Sequence, residues 1–218
     1  MNLPDEPRWV EAHGIALDPH SWMRELGGGV ALGHDAAALI VVDGVAASAI
    51  APLAREHPQH TLLVATDELA EALREAGRPP VRALLLTLPD PATLPDLEGA
   101  VPLPVDAPLA ALPPPLAAEI ARAHQRRQLV WSVYVDAAPV AFAHAPWRSD
   151  RWFDVSVDVL SAARQLGLGT IVASAMIQYE RAQGREPVWG ADEDNVASRR
   201  LAHRLGFVEC DRIWVAPP

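Results

Sequence analysis

The turn Arg164-Gln165-Leu166-Gly167-Leu168-Gly169 limits the fold of this chain more than any other feature. The run before it, Phe153-Asp154-Val155-Ser156-Val157-Asp158-Val159, alternates apolar and polar residues and predicts one half-buried strand. The run after it, Thr170 to Gln183, spaces Ile171, Val172, Ala175, Met176 and Tyr179 for one face of a helix. A turn from such a strand into such a helix aims several backbone N–H groups at one place. Its glycines permit close approach to the backbone, and the helix N-terminus favours negative charge. The pattern predicts an anion cradle suited to a pyrophosphate.

A second motif follows at a workable distance: Pro187-Val188-Trp189-Gly190, then Asn195-Val196-Ala197-Ser198, then Leu201-Ala202 and Leu205-Gly206-Phe207. Together the two motifs resemble the acetyl-CoA-binding motifs of the GNAT superfamily of N-acyltransferases. The first is similar to that family's Q/R-x-x-G-x-G/A loop, the second to its N-x-x-S…L-G-F helix. The resemblance covers roughly residues 100–215, and the first hundred residues show no such match. It implies an α/β fold with a mixed sheet, read as strand, hairpin, strand, helix, strand, helix, strand. It also implies that the strand ending near Val159 splays from the strand around Val188 and Trp189. The pantetheine arm of acetyl-CoA would then pair with the backbone of Val157 and Val159 like an added strand. By the same resemblance, Arg164 and the amides of Gln165, Leu166, Gly167, Leu168, Gly169 and Thr170 would hold the pyrophosphate. Asn195 would face the pantetheine arm, with Ser198 and Arg200 near the cofactor.

Size and charge restrict the alternatives. The 218 residues suffice for one large domain or two small ones. A net charge of −10 argues against a nucleic-acid binder or a peripheral membrane protein. An acidic chain that binds polyanionic CoA needs local compensation, which Arg164, Arg199, Arg200 and Arg204 could supply. The single cysteine, Cys210, excludes an intrachain disulfide and a CxxC metal site. The eight histidines show no pairing at metal-ligand spacing, so no metal is expected. No charged-then-apolar leader opens the sequence and no apolar run reaches membrane-spanning length. The expectation is a soluble, bacterial-type cytoplasmic protein, a monomer or homodimer.

The chain reads as an N-terminal α/β region, residues 1–98, and a CoA-binding domain, residues 99–218. Within the first, residues 38–42 and 45–50 predict a hairpin about Asp43-Gly44. Thr61 to Ala65 predicts a strand. Asp67 to Ala76 predicts a helix capped by Thr66 and stopped by Gly77. Val81 to Leu88 predicts a buried strand. Gly27-Gly28-Gly29 predicts a flexible loop, since no convincing strand precedes it. The proline-dense stretch from Pro89 to Pro115 predicts a connection. Leu116 to Gln128 then predicts a helix, and Leu129 to Val135 the first strand of a hairpin. Ile40 to Asp43 with Ala51-Pro52 faintly echoes Val133 to Asp136 with Ala145-Pro146. Either the echo is chance, or the N-terminal region is a degenerate GNAT half. A cap over the acceptor site is a further role for it.

Acyl transfer to an amine requires a group that takes the amine's proton, a means to stabilise the oxyanion, and a fate for the leaving thiolate. Strand alternation puts Trp152, Asp154, Ser156 and Asp158 on one face and Phe153, Val155, Val157 and Val159 on the other. Asp154 is the preferred base, because acidic residues commonly occupy the matching position in GNAT sequences, and Asp158 is second. Both are equally consistent with solvated residues on an open strand face, and a bulge would shift the phase. Many GNAT enzymes protonate the thiolate with a tyrosine at the position of Ala202. That acid is absent. His203 points roughly 100° away around the helix. Tyr179, Ser198 or solvent would have to serve, or catalysis is lost. Trp189 and Cys210 read as core, and Arg148, Asp150 and Arg151 as a turn. The resemblance implies an acetyl-CoA-dependent N-acyltransferase acting on an amine by direct attack. The alternative is a non-catalytic GNAT-fold module that binds acyl-CoA or a partner.

Overall fold

A computed structural model describes residues 3–90, 94, 95 and 98–218. The chain divides into two units. The first comprises Met1–Leu86, Gly190–Val196 and Glu209–Pro218; the second comprises Thr87–Trp189 and Ala197–Val208. Part of the connection expected between Pro89 and Pro115, namely residues 91–93, 96 and 97, lies outside the described residues.

The first unit opens with helix α1 (Val10–Leu17) and the hairpin of β1 (Ser21–Leu26) and β2 (Gly29–His34). Leu26 opposes Gly29, so Gly27 and Gly28 form a two-residue turn, with φ of 57° and 91°. Such turns require left-handed backbone at both positions, which glycine adopts without penalty. The flexible loop expected at Gly27 to Gly29 is therefore a tight hairpin turn. Strand β3 (Leu39–Asp43) runs antiparallel to β2 and parallel to β4 (Thr61–Val64). The expected hairpin about Asp43-Gly44 does not form. After Gly44 the chain enters helix α2 (Ala47–Glu56), which carries β3 over to β4. Ile50, Leu53 and Ala54, spaced i, i+3 and i+4, are its buried face. The Ala51-Pro52 pair lies inside this helix, whereas Ala145-Pro146 lies in a loop, so the two halves of the internal echo adopt different structures.

Helix α3 (Asp67–Glu75) follows the sequence closely. Thr66 accepts from Leu69 N–H as the N-cap, and Gly77 (φ 78°) ends the turn beyond. Strand β5 (Val81–Thr87) comes next. The chain's last strand (Val208–Ala216) returns antiparallel to β4, giving the order β1-β2-β3-β4-last strand-β5. Ile40, Val42, Leu62 and Val64 of the sheet pack with Ile50, Leu53, Leu69 and Leu73 of the helices. Cys210 is exposed rather than in the core, its Sγ 3.4 Å from the Leu85 carbonyl oxygen.

Among the described residues the second unit holds a four-stranded sheet and three α-helices. Strand β6 (Ala100–Pro102) leads to helix α4 (Pro114–Gln125). Strands β7 (Trp131–Val135) and β8 (Ala138–His144) form the expected hairpin, turning at Asp136 and Ala137. Leu116, Ile120 and Ala123 of α4 pack on Val130 and Phe142. The strand expected across 153–159 is two strands. Strand β9 (Trp152–Asp154) and strand β10 (Ser156–Val159) are interrupted at Val155. Strand β9 pairs in parallel with β11 (Glu186–Asp192), whereas β10 pairs antiparallel with β8, in the order β10-β8-β7-β6. The residues of 148–152 turn as expected, with Ser149 N–H bonded to the Trp152 carbonyl.

Candidate active site

Helix α5 (Leu168–Ala182) begins at the glycine loop, and Gly167 is its N-cap with φ 78°. Gln165 is also left-handed, at φ 65°. These two reversals fold the chain from β10 onto the helix. Thr170 and Ile171 N–H groups return to the Gly167 carbonyl oxygen. The amides of residues 165–169 find no acceptor among the described residues. A side chain built on Gly167 would meet nothing within 4 Å, so the turn is open at that position. Gly169 plays a different part: a Cβ there would come within 3.1 Å of Leu201, so its missing side chain lets α5 pack on helix α6 (Val196–Arg204). Leu166 is exposed, and Arg164 Nε donates to the Val159 carbonyl oxygen at 3.2 Å. The buried face of α5 is turned relative to expectation. Val172 and Met176 are buried, but so are Ala173, Ile177 and Glu180, while Tyr179 is 41% exposed beside Trp131.

Strand β10 supplies an edge. Leu160 N–H bonds to Val140 of β8, and antiparallel alternation then turns the N–H and C=O groups of Val157 and Val159 away from β8. The Val155 N–H closes the β9–β11 pairing on the Val188 carbonyl at 3.0 Å, and beyond it β10 leaves for β8. The divergence of these strands is the splay anticipated from the motifs.

Helix α6 follows Asn195, whose N–H bonds to the Asp192 carbonyl; Asn195 counts with the first unit, the rest of the candidate set with the second. The Ser198 hydroxyl accepts from the Trp189 indole N–H at 2.9 Å, and Trp189 is itself buried edge-on to Phe207. Arg200 is exposed. Ala202 is fully buried, so no side chain at the usual tyrosine position reaches solvent. His203 is occupied at the helix end, its Nδ1 3.2 Å from the Phe207 carbonyl oxygen. Tyr179 lies about three turns along α5 from the glycine loop.

The sequence did not reveal Glu119 of α4, whose charge bears on both candidate bases. Ser156 Oγ donates to Glu119 Oε1 of α4 at 2.8 Å. His144 Nε2 of β8 lies 3.5 Å from the same oxygen, and His144 and Ser156 oppose each other across the strands. Asp154 is half-buried, and burial, reinforced by the negative charge of Glu119, pushes its carboxyl up to about 7. Burial and Glu119 also raise Asp158, with Arg164 opposing. Burial and the neighbouring Arg148, Arg122 and His124 lower His144 to about 4, so its imidazole is neutral at pH 7. Glu119 precedes Ile120 at the edge of the apolar face of α4. Its acidic side chain beside that face was the available signal, but only the fold shows that it meets Ser156.

The donor set suits a pyrophosphate: amides without an acceptor among the described residues, a turn that is open at Gly167 and the N-terminus of a long helix. Among the described residues no group of histidine, cysteine or carboxylate side chains is arranged to hold a metal. Likewise no helix among them is long and apolar enough to cross a membrane.

The model of the GNAT acetyltransferase family matches residues 131–214, which run from β7 into the last strand. A GCN5-related N-acetyltransferase-like protein of Streptococcus suis aligns over 97% of this chain and 92% of its own, at TM-score 0.67 and 15% identity. A GCN5-related N-acetyltransferase from Kribbella flavida aligns over 97% and 94%, at TM-score 0.62 and 20% identity. This chain has the GNAT acetyltransferase fold. The GNAT likeness of the fold extends well beyond residues 100–215, where the motifs lie. A tandem GNAT protein from the clavulanic acid biosynthesis pathway also aligns, over 96% of this chain and 93% of its own, at TM-score 0.57 and 16% identity. No curated protein matches the chain.

Proposed function

We propose that this GNAT-fold protein transfers an acyl group, most simply acetyl, from acyl-CoA to an amine by direct attack, with Asp154 taking the amine's proton. The observation that carries this reading is the turn from β10 into α5, where the amides of residues 165–169 have no acceptor among the described residues; for the proton, Asp154 is the suited group. A carboxyl pushed up to about 7 accepts a proton near neutrality, which an ordinary surface aspartate does not. Bound acyl-CoA would supply the acyl group as a thioester. The amides of residues 165–169 would bind its pyrophosphate, with Arg164 released from Val159 to join them. The outward backbone of Val157 and Val159 would orient the pantetheine arm. Ser198 and Arg200 complete the proposed cofactor set in this unit, and Asp158 is the second candidate base. Because Ala202 is buried and His203 is occupied, solvent is the simplest proton source for the leaving thiolate.

The test is thiol release from acetyl-CoA across a panel of amines, with calorimetry of CoA binding alongside. Binding without added metal and turnover with at least one amine are expected. Absence of binding at millimolar CoA would sink the reading.

A further inference from the structure

We propose that Arg164 decides which class of donor is taken: bonded to the Val159 carbonyl it covers the edge of β10, and a diphosphate that draws it away uncovers that edge, so CoA thioesters are favoured over thioesters of bare pantetheine. This choice of donor rests on the acyl-transfer reading above. Val159 ends β10, and its C=O faces away from β8 because Leu160 N–H takes up the pairing with Val140. Among the outward acceptors of β10 it is the nearest in sequence to the glycine loop. A pantetheine amide that extends the sheet there needs this oxygen. In the protein the oxygen is already bonded, to Arg164 Nε at 3.2 Å. The bond spans the short helical turn Ser161–Ala163 and holds the guanidinium against the end of the strand.

The amide cradle lies beside that strand end. A Cβ built on Gly169 would stand 3.4 Å from Val159 Cγ2, so the first turn of α5 packs on the residue whose carbonyl Arg164 covers. Arg164 also immediately precedes Gln165, the first of the cradle amides. Its guanidinium makes no ion pair and no second hydrogen bond among the described residues. The bond it does make is single, exposed and to a neutral carbonyl. Paired N–H bonds from a guanidinium to phosphate oxygens are charge-assisted and stronger. A diphosphate in the cradle therefore takes Arg164 from Val159. A pantetheine amide alone must displace it without offering it a new partner. One side chain thus couples the two ends of the donor, and such a coupling is reciprocal.

The experiment compares the full chain with its Arg164→Ala variant by calorimetry, using CoA and pantetheine as probes. Affinity for pantetheine should rise in the variant by roughly two- to tenfold, the worth of one hydrogen bond that no longer has to be displaced. Affinity for CoA should fall by about tenfold, because a charge-assisted phosphate contact is lost. A residue that only binds phosphate would weaken CoA and leave pantetheine unmoved, and that result overturns the proposal. Where pantetheine binds neither protein measurably, the carbonyl carbon-13 resonance of Val159 decides. Saturating ADP, which carries the diphosphate, should move it in wild type toward its position in Arg164→Ala and leave it unmoved in the variant. A wild-type resonance that stays in place overturns the proposal. The acyl-transfer reading fails separately, if wild type does not bind CoA at all.

Discussion

The Arg148 guanidinium meets the Glu180 carboxylate with Nη2 and Oε1 2.5 Å apart, at a site where Glu180 is only 2% exposed. Arg185 approaches the other oxygen at 3.1 Å. Arg148 also donates to the Ala145 carbonyl oxygen, so the triad ties the C-terminal part of α5 to the loop after β8. The helix whose first turn forms the amide cradle is thereby anchored near its other end. Glu180→Gln leaves two guanidinium groups facing a neutral amide. A loss of about 3 kcal/mol is expected, the lower end for breaking a buried pair, since both arginines keep some water. Urea denaturation at pH 7 measures it; a loss below about 1 kcal/mol would show that the triad relaxes at little cost.

Gly167→Val tests the cradle. The wild-type residue has φ 78°, a region that a β-branched side chain enters at a cost of roughly 1–2 kcal/mol. The new side chain would also project into the space that is open at Gly167. CoA binding should fall by at least about tenfold while the circular dichroism spectrum stays native. Unchanged affinity in calorimetry would place the pyrophosphate elsewhere.

The glycine loop and α3 were legible in the sequence for the same reason. Each is set by local backbone chemistry: left-handed glycines in one, a threonine cap and a glycine stop in the other. Helix α2 was not. Its N-cap, Ala46, has no side-chain acceptor, and Pro52 sits within it, so both local signals argued against a helix. Tertiary burial of Ile50 and Leu53 decides its state instead. The break at Val155 was equally hidden. Alternation continues through it, and only the separate partners of β9 and β10 divide the run. The candidate bases could be picked from strand phase, but Glu119 and His144 could not. They come from a helix and from another strand, ten or more residues away in sequence.

Asp154→Asn carries two expectations of opposite sign. Turnover should fall by about 10²–10⁴ with little change in CoA affinity, because a general base acts on the transition state. The wild-type kcat/KM should decline as pH drops through about 7, where Asp154 gains its proton, and the variant should lose that limb. Stability should move the other way. Asp154 has a folded pKa raised to about 7, so its contribution is greatest below the unfolded value and is lost as pH rises through 7. The uncharged asparagine avoids that loss, and the variant should melt at higher temperature than wild type at pH 8 but not at pH 4. Equal melting temperatures at pH 8 would mean that burial does not penalise the charge. Asp158→Asn is the control for activity, and a large loss there with none at Asp154 would exchange the two roles.

His144 sets a limit on the acid side. Its folded pKa, lowered to about 4, lies below that of an unfolded histidine near 6.5. Between those values the unfolded chain binds the extra proton, so folding stability is lost as pH falls from about 6.5 to 4. The full difference corresponds to about 3 kcal/mol at most. His144→Gln removes the titration while keeping a polar side chain near Glu119. Denaturant unfolding at pH 7 and pH 4.5 should show a smaller acid-induced loss in the variant than in wild type, even if the variant is less stable at pH 7. Should both proteins lose the same stability over that range, other groups carry the acid sensitivity, and the imidazole beside Glu119 is not held neutral by its burial.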